Sequence, residues 1–350
     1  MERALQTDSI LNQGGIVIRP FDQARDTWRI LTQDNRQAWL YHSEKWIELL
    51  RRVYGLRIMV AELDSPASPS AACVLAQSRN PFVRRVVALP FSDICSPLGD
   101  FNEVSDLLRG LVGLRRQLGS IELRGVAAPE PWTQLDHFAL WKLDLRKSLR
   151  TLELSLSKNF RHNIQKAARH GITVTHGAGD DLIERFYRLN VDSRHRLGLP
   201  APPLRLFRTI GEIFKEDLDI WIGSNGDRDL VAVLLLSHGF RIHYKWLARA
   251  SGETYGASHL ALWSVVEHSV GRFEELDLGR ADRRNLGLSR FKHAIGAAPT
   301  PLPCSFFPHA PHLSSAEHLS GISLIATRAW KLLPLPLVRT IGGAIYGFLS

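Results

Sequence analysis

The sequence is poor in the residues that hold small domains together covalently or through metals. It contains 3 cysteines, Cys73, Cys95 and Cys304, which lie far apart. An odd, scattered set predicts neither a disulfide framework nor a zinc site, and it favours a reducing compartment. The histidines that follow Cys304 lie in a Pro-rich segment without the spacing of a metal site, so we expect no metal.

Long apolar runs are missing as well. Residues 1–15 have no apolar core of signal-peptide length, and no stretch is apolar enough over enough residues to span a bilayer. We therefore expect a cytoplasmic protein. The chain also lacks a phosphate-binding P-loop and the Gly-x-Ser-x-Gly turn of serine hydrolases. These absences argue against the P-loop nucleotidases and the hydrolases that depend on such a turn.

Positive charge is in excess. Lysine and arginine number 44 against 35 acidic residues, which gives a net charge of +9 and a pI near 9.7. This balance predicts an anionic partner: a nucleic acid, a phosphorylated carrier or small molecule, or an acidic membrane surface. The hydrophobic fraction of 45% over 350 residues predicts two globular domains of ordinary size.

The pattern of elements repeats once along the chain. Each half reads as a helical entry, a strand, a tight turn, two further strands, a loop, a helix ended by Gly, and a strand. The sequence predicts a flexible arm over 1–15, a first α/β domain over 16–150 and a second over 151–310. A basic, aromatic and apolar tail over 311–350 follows, and residues 321–350 fit either a membrane interface or packing on their own domain.

The most informative stretch runs from Glu274 to Ala297, EELDLGRADRRNLGLSRFKHAIGA. Its first residues alternate as in a short half-buried strand that Gly279 ends, and a loop rich in arginine leads to a short helix carrying Phe291 and Lys292. A rigid strand followed by a charged loop is a common way to build a site. The ordinary alternative is a solvated basic loop after an edge strand.

A second basic stretch lies at KNFRHNIQKAARH, which Ser157 caps and Gly171 ends. Arg161 and Lys166 lie on its charged faces. The ordinary interpretation is a solvated helix face. The more specific interpretation is a helix that faces phosphate or tRNA.

These two stretches together resemble the second domain of the Fem-type, BioF2-like branch of the GNAT acyltransferase superfamily. The matching residues are Asp277-Leu278-Gly279-Arg280, then Phe291-Lys292 and Gly296, together with the Arg161-to-Gly171 helix. The resemblance implies a mixed α/β chain with the GNAT fold used twice. It also implies that Phe291 and Lys292 lie in an active site.

The resemblance suggests an N-acyltransferase that moves an acetyl or aminoacyl group to an amine of a cell-envelope saccharide or peptide precursor. Lys292 would stabilise the oxyanion or leaving group. Asp277 or a neutral histidine would accept a proton, unless Asp277 only pairs with Arg280. The residues expected to contact substrate are Phe291, Arg280, Arg161, Lys166 and Tyr244.

The sequence does not decide the acyl donor. Gly256, Ala257 and Ser258 are at best a degenerate form of the family's CoA-pyrophosphate loop, so acyl-CoA and aminoacyl-tRNA are both candidates. The alternative from another class is an inactive GNAT-fold scaffold for polysaccharide or tRNA machinery at the membrane.

Overall fold

The computed structural model describes residues 11–13, 15–64, 70–78, 84–310 and 330–347. They divide into two units. The first unit comprises the chain up to His137 and a segment that begins at Leu302, and the second comprises Phe138–Pro301 together with the C-terminal helix.

The first unit is built on a mixed sheet. Its strands are β1 (Leu11–Gln13), β2 (Ile16–Pro20), β3 (Ile58–Leu63), β4 (Ala71–Gln77), β5 (Arg85–Val87), β6 (Leu98–Gly99) and β7 (Ser120–Arg124). Its helices are α1 (Phe21–Thr32), α2 (Glu44–Tyr54), α3 (Phe101–Gly113) and α4 (Arg115–Leu118), with a 3-10 turn at Leu40–His42. The strand order is β1-β2-β3-β4-β5-β7 with β6 beside β4, and β5 runs parallel to β7.

Helix α2 shows how local signals set the elements. The Ser43 hydroxyl accepts a hydrogen bond from the Trp46 amide, and Gly55 ends the helix at a φ of +60°. Trp46, Ile47 and Leu50 are buried on the inner face. The cap, the buried stripe and the stop are all local signals, because each depends only on neighbours within two turns.

The second unit repeats this order of elements. Its strands are β8 (Thr133–Asp144, of which the first residues belong to the first unit), β9 (Thr173–Gly177), β10 (Leu218–Asn225), β11 (Arg228–His238), β12 (Arg241–Arg249) and β13 (Glu275–Asp282). Its helices are α5 (Leu149–Ser155), α6 (Lys158–Arg169), α7 (Asp180–Leu197), α8 (Leu204–Phe214), α9 (Ala257–Ser269) and α10 (Leu286–Ala294), with a 3-10 turn at Lys215–Asp217. The strand order is β8-β13-β12-β11-β10-β9, and β12 runs parallel to β13.

The boundary between the units differs from the predicted 150/151. It lies between His137 and Phe138, because the later residues of β8 pair with β13 of the second unit. The last strand, β14 (Ala298–Phe307), lies at the end of the predicted second domain, yet its residues Cys304–Phe307 pair with β7 of the first unit. Strand β8, which follows the parallel pair of the first unit in the chain, therefore joins the sheet of the second unit. Strand β14, which follows the parallel pair of the second unit, joins the sheet of the first. Such pairings span more than a hundred residues, and local patterns do not reveal them.

Two further segments refine the sequence predictions. Within the predicted flexible arm, Leu11–Gln13 form β1 and pair with β2, and residues 1–10 lie outside the described part. In the predicted tail, helix α11 (Leu335–Tyr346) packs against α7 with Val338 buried, while Leu337 and Ile341 are exposed. The rest of the tail, 311–329 and 348–350, lies outside the described residues. None of the described helices combines the length and the hydropathy needed to cross a membrane.

Candidate active site

The parallel strands of the second unit separate partway along their length. They pair at three positions, of which the last is His243 with Asp277. Beyond this position, β12 pairs only with β11, and β13 pairs only with β8. Strands β12 and β13 each contain one extra residue relative to these partners. On β12 it is Lys245, and on β13 it is one of the two residues between Asp277 and Arg280. Bulges of this kind bend a strand, so β12 and β13 diverge and leave a wedge, which we call the fork.

The fork opens at the end of the sheet where α9 begins. Helix α9 connects the end of β12 to the start of β13, so its N-terminus lies beside the carboxyl ends of both strands. This is the edge at which open α/β sheets bind ligands. The remaining question is which side chains lie there.

A buried histidine–carboxylate pair stands where the fork opens. His243 Nδ1 lies 2.9 Å from Asp277 Oδ2, and the Gly279 amide donates to Asp277 Oδ1 at 2.8 Å. The His243 and Asp277 side chains are each 1% exposed. The sequence predicted Arg280 as the alternative partner of Asp277, whereas the Arg280 guanidinium lies over the Phe138 ring at 4.8 Å. Both carboxylate oxygens are held, so the carboxylate can fix the orientation and tautomer of the imidazole.

Lys292 lies against the same stretch of β13. The Asn285 side chain caps α10, and the Lys292 ammonium, 4% exposed as a residue, donates to the carbonyls of Gly279 at 2.9 Å and Arg280 at 3.0 Å. The predicted strand end at Gly279 is wrong, because this glycine takes a φ of +72° and the strand continues to Asp282. Arg280 therefore belongs to the strand and not to a loop. The amine faces protein and not bulk water.

Phe291 belongs to an aromatic cluster with Phe160 and His259. Its ring centroid lies 5.9 Å from Phe160 and 5.4 Å from His259. Burial, together with the charge of Arg249, lowers the pKa of His259 to about 4. His259 is therefore neutral at neutral pH. Phe291 packs between α6, α9 and α10, and its predicted contact with substrate stays a prediction.

Helix α6 packs closely against the predicted cofactor loop. Gly256 has a φ of +86°, and a Cβ there would lie 2.2 Å from the Asn163 carbonyl oxygen of α6. The Ala257 amide donates to Thr254, and the His259 amide donates to Gly256. The Ala257 and His259 amides are thus bonded within the chain, which reduces the number of donors that this helix start offers to a CoA pyrophosphate.

Two buried polar atoms remain in the first turn of α9. Ser258 Oγ and His259 Nδ1 have no hydrogen-bond partner among the described residues. Ser258 is 6% exposed. A buried polar atom without a partner is costly, so this turn keeps capacity for one or two hydrogen bonds to a ligand.

The basic helix α6 is tied to the loop before α9. Lys166 Nζ lies 2.6 Å from Glu253 Oε1 and 5.7 Å from the Tyr255 ring centroid, and the His170 ring stacks on Tyr255 at 4.4 Å. Arg161, predicted beside Lys166 as a substrate contact, is exposed on the surface of α6. Lys166 thus has a structural partner, and Arg161 is the more accessible charge on this helix.

A pocket of about 450 Å³ lies in the second unit. Its lining comprises Trp141, Ser157, Asn159, Ser289, Arg290, His293 and Ala294. The residues from α10 are those on the helix face that does not carry Lys292. Trp141 is 6% exposed, and its indole Nε1 has no hydrogen-bond partner among the described residues.

Tyr244, the remaining predicted contact, follows His243 on β12. It is half-buried, and burial raises the pKa of its phenol. Because side chains alternate along a strand, Tyr244 and His243 point to opposite faces of the sheet. The sequence did not single out His243, His259 or Trp141, because each stands in a strand or helix without a motif that marks it.

The described strands of the first unit carry no histidine–carboxylate pair at the matching position. Its parallel strands also pair at three positions, and the third joins Val87 to Glu122 where the second unit has His243 and Asp277. The Glu122 carboxylate contacts Arg124 at 2.7 Å and Arg85. Of these two matching positions, the one in the second unit therefore carries the histidine–carboxylate pair.

Comparison with known proteins identifies the fold. No family model and no curated protein matches the chain. Among solved structures, FemX is similar over 80% of this chain and 95% of its own, with 12% identity and a TM-score of 0.56. L-PGS from Bacillus licheniformis matches 75% of this chain and 90% of its own at 11% identity and a TM-score of 0.51.

A tandem GNAT protein from the clavulanic acid biosynthesis pathway matches 83% of this chain and 98% of its own, at 10% identity and a TM-score of 0.51. The chain therefore has the tandem GNAT fold, which confirms the fold predicted from the sequence.

Proposed function

We propose, on the premise of a tandem GNAT fold, that the chain is an N-acyltransferase whose reaction takes place at the fork of the second unit. The observation that carries this proposal is the meeting of the His243–Asp277 pair and the Lys292 ammonium on the stretch of β13 where the strands diverge. A base, an orienting acid and a fixed positive charge in a water-poor site are what acyl transfer to an amine requires.

In the proposed mechanism, the acceptor amine attacks the acyl carbonyl held in the fork. A nitrogen–carbon bond forms, and the bond from that carbon to the donor's oxygen or sulfur breaks. His243, held through Nδ1 by Asp277, takes the amine proton at Nε2 and returns it to the leaving group. The backbone-held charge of Lys292 stabilises the oxyanion. Holding both reactants supplies much of the remaining rate enhancement.

As acyl donor, an aminoacyl ester such as aminoacyl-tRNA fits the site better than acyl-CoA does. The Ala257 and His259 amides at the start of α9 are engaged, and Gly256 packs against Asn163, which disfavours a pyrophosphate there. Exposed Arg161 on α6 and the net charge of +9 suit a phosphate backbone. Ser258 and His259 would each supply a hydrogen bond to the donor.

The acceptor is proposed to be an amine on a cell-envelope saccharide or peptide precursor with an anionic carrier. The pocket beside α10 offers Arg290, His293, two serines and the Trp141 indole, a lining suited to hydroxyl and carboxylate or phosphate groups. Arg280 and Tyr244 remain proposed substrate contacts.

The experiment that tests the function is mass spectrometry of cell-envelope precursors from cells with and without this protein. A group of acyl or aminoacyl mass that disappears with the protein, and that His243→Ala also fails to restore, is expected. Purified protein should then transfer that group from charged tRNA in preference to acyl-CoA. An unchanged precursor profile, with no turnover of either donor, would refute the enzyme.

The second candidate function is a binding scaffold without catalysis. The closed start of α9, with Gly256 against Asn163, favours it. Binding of either donor at the fork, lost in Asp277→Asn, would favour the enzyme; tRNA or polysaccharide binding that is unchanged in that variant would favour the scaffold.

The C-terminal helix is proposed to touch the cytoplasmic membrane face. Leu332, Leu335, Leu337 and Ile341 are exposed on or just before α11, and exposed apolar side chains on one helix suit an interface. Flotation with anionic liposomes should be reduced when Leu337 and Ile341 are both changed to Lys. Equal recovery of the variant and the parent chain would refute membrane contact.

A further inference from the structure

Two histidines and an aspartate from three different elements converge on the surface of the second unit. They are His176 on β9, Asp219 on β10 and His268 on α9. One ligand atom from each residue lies within 4.8 Å of the other two. Because α9 runs back from the fork, His268 lies at the opposite end of that helix, so this cluster is separate from the candidate active site.

The register of the edge strands explains why the residues meet. In the antiparallel pair β9–β10, His176 stands opposite Trp221. Asp219 lies two residues before Trp221 and so shares its face. Helix α9 contacts both strands, and its last turn brings His268 to the same place.

Neighbouring groups hold the three side chains in position. The Trp221 indole donates to Asp219 Oδ2 at 2.8 Å, and His176 Nδ1 lies 3.0 Å from Asp219 Oδ1. The His176 ring stacks on Trp221 at 4.1 Å with an interplanar angle of 6°, and the His268 ring stands edge-on to His176 at 4.6 Å. Such supporting contacts orient the ligands of metal sites in proteins.

We propose that His176, Asp219 and His268 bind one divalent transition-metal ion of the Zn²⁺ type. Two imidazoles and one carboxylate, with a fourth position for water, suit Zn²⁺ and not the oxygen-seeking Ca²⁺ or Mg²⁺. Ligand atoms around tetrahedral zinc lie about 3.3 Å apart for bonds of about 2.0–2.1 Å, so rotation of exposed His176 and of His268 closes the site. Through His176 and His268, the ion links β9, an edge strand, to α9.

Electrostatics both favour and oppose the ion. The site lies at the carbonyl end of α9, which stabilises a cation, and Asp219 supplies a negative charge. The Arg272 guanidinium contacts His268 Nε2 and must be displaced. Removing this arginine should therefore strengthen metal binding, an effect opposite to that of removing a ligand.

The test uses the full-length chain, stripped with a chelator and titrated with Zn²⁺ by calorimetry and thermal unfolding. One ion per chain and a rise in Tm of roughly 2–5 °C at saturating metal are expected. His176→Ala, His268→Ala and Asp219→Asn should each weaken binding at least about tenfold, because loss of even an outer-shell partner of a metal ligand costs that much, and Arg272→Ala should tighten it. The matched control is His162→Ala, which removes an exposed histidine from α6.

Asp219→Asn keeps an oxygen for the Trp221 indole, so it separates loss of metal from loss of fold if a histidine variant is unstable. Visible absorption of bound Co²⁺ then reports the coordination geometry directly. No Zn²⁺ binding by the parent chain, or binding that is the same in Asp219→Asn and His176→Ala as in the control, would overturn the proposal.

Discussion

Lys292 carries its charge to a place with almost no solvent contact. Its ammonium is held by the carbonyls of Gly279 and Arg280, and hydrogen bonds to a charged group are worth about 1.5–3 kcal/mol each. The residue therefore supports β13 beyond its bulge as well as offering a positive charge at the fork. Its structural and catalytic contributions need separate measurements.

Replacing Lys292 with Ala should abolish transfer and also lower the free energy of unfolding by about 2–4 kcal/mol, because a buried side chain is lost and two carbonyls lose their donor. Lys292→Met keeps most of the volume and should be more stable than the Ala variant yet equally inactive. Urea unfolding and a transfer assay measure the two effects, with exposed Lys158→Ala as control. Full activity of the Met variant would remove the ammonium from the mechanism.

His259 makes stability depend on pH. Its pKa is lowered from 6.5 to about 4, mainly by burial, so the unfolded chain binds a proton more readily than the folded one. Its contribution to stability is complete above about pH 6.5 and is lost as the pH falls toward 4. His259→Phe, which keeps an aromatic ring beside Phe160 and Phe291, should reduce this slope in urea unfolding between pH 4.5 and 7.5.

The matched control for that experiment is His162→Phe on the exposed surface of α6, which should leave the slope unchanged. If His259→Phe retains the full slope of the parent chain, another group is responsible for the acid sensitivity.

At the scale of elements, the sequence predicts what is local and misses what depends on a distant partner. Ser157 caps α6 as expected, since the hydroxyl and the Phe160 amide it accepts from are three residues apart. Gly279 was expected to end a strand, but it forms a bulge against β8, which precedes it by more than a hundred residues. The β12 strand was also predicted, yet nothing local indicates that His243 pairs with Asp277.

The contact between α6 and the loop before α9 should depend on one glycine. Gly256→Ala should cost at least about 2–3 kcal/mol, because its φ is +86° and the new Cβ would lie 2.2 Å from the Asn163 carbonyl oxygen. Gly252→Ala is the control: its φ is +78°, but the nearest atom to a Cβ is 3.6 Å away. Equal losses in urea unfolding would show that backbone conformation alone, and not the contact with α6, decides the cost.

At the scale of the whole molecule, the two units repeat one order of elements with different chemistry. Both have three antiparallel strands followed by a helix and a parallel strand. The repeat is visible in the sequence because hydrophobic spacing and glycine stops recur. The pairing of the strands that complete each sheet is not visible there. Most of β8 pairs with the second unit although it lies within the predicted domain 16–150, and the end of β14 pairs with the first unit although it lies within the predicted domain 151–310.

Two fragments of the second unit, one with β8 and one without it, should differ in stability. A fragment of 138–301 keeps β8 beside β13 and should unfold cooperatively, whereas 151–301, cut at the boundary predicted from the sequence, leaves β13 as an uncovered edge and should aggregate. Circular dichroism melts and size-exclusion profiles of the two fragments make the comparison. Indistinguishable behaviour would mean that β8 contributes little to the second sheet.

Because Cys304–Phe307 complete the sheet that begins near Leu11, the ribosome releases the N-terminal unit's closing strand only after nearly the entire second unit has been synthesised. During translation, β7 of the first unit lacks this partner strand while the strands of the second unit are synthesised in order. A nonsense mutation just after α10 would therefore remove a strand from the first unit as well as the C-terminal helix from the second, and a chaperone that shields nascent chains would be needed most at β7.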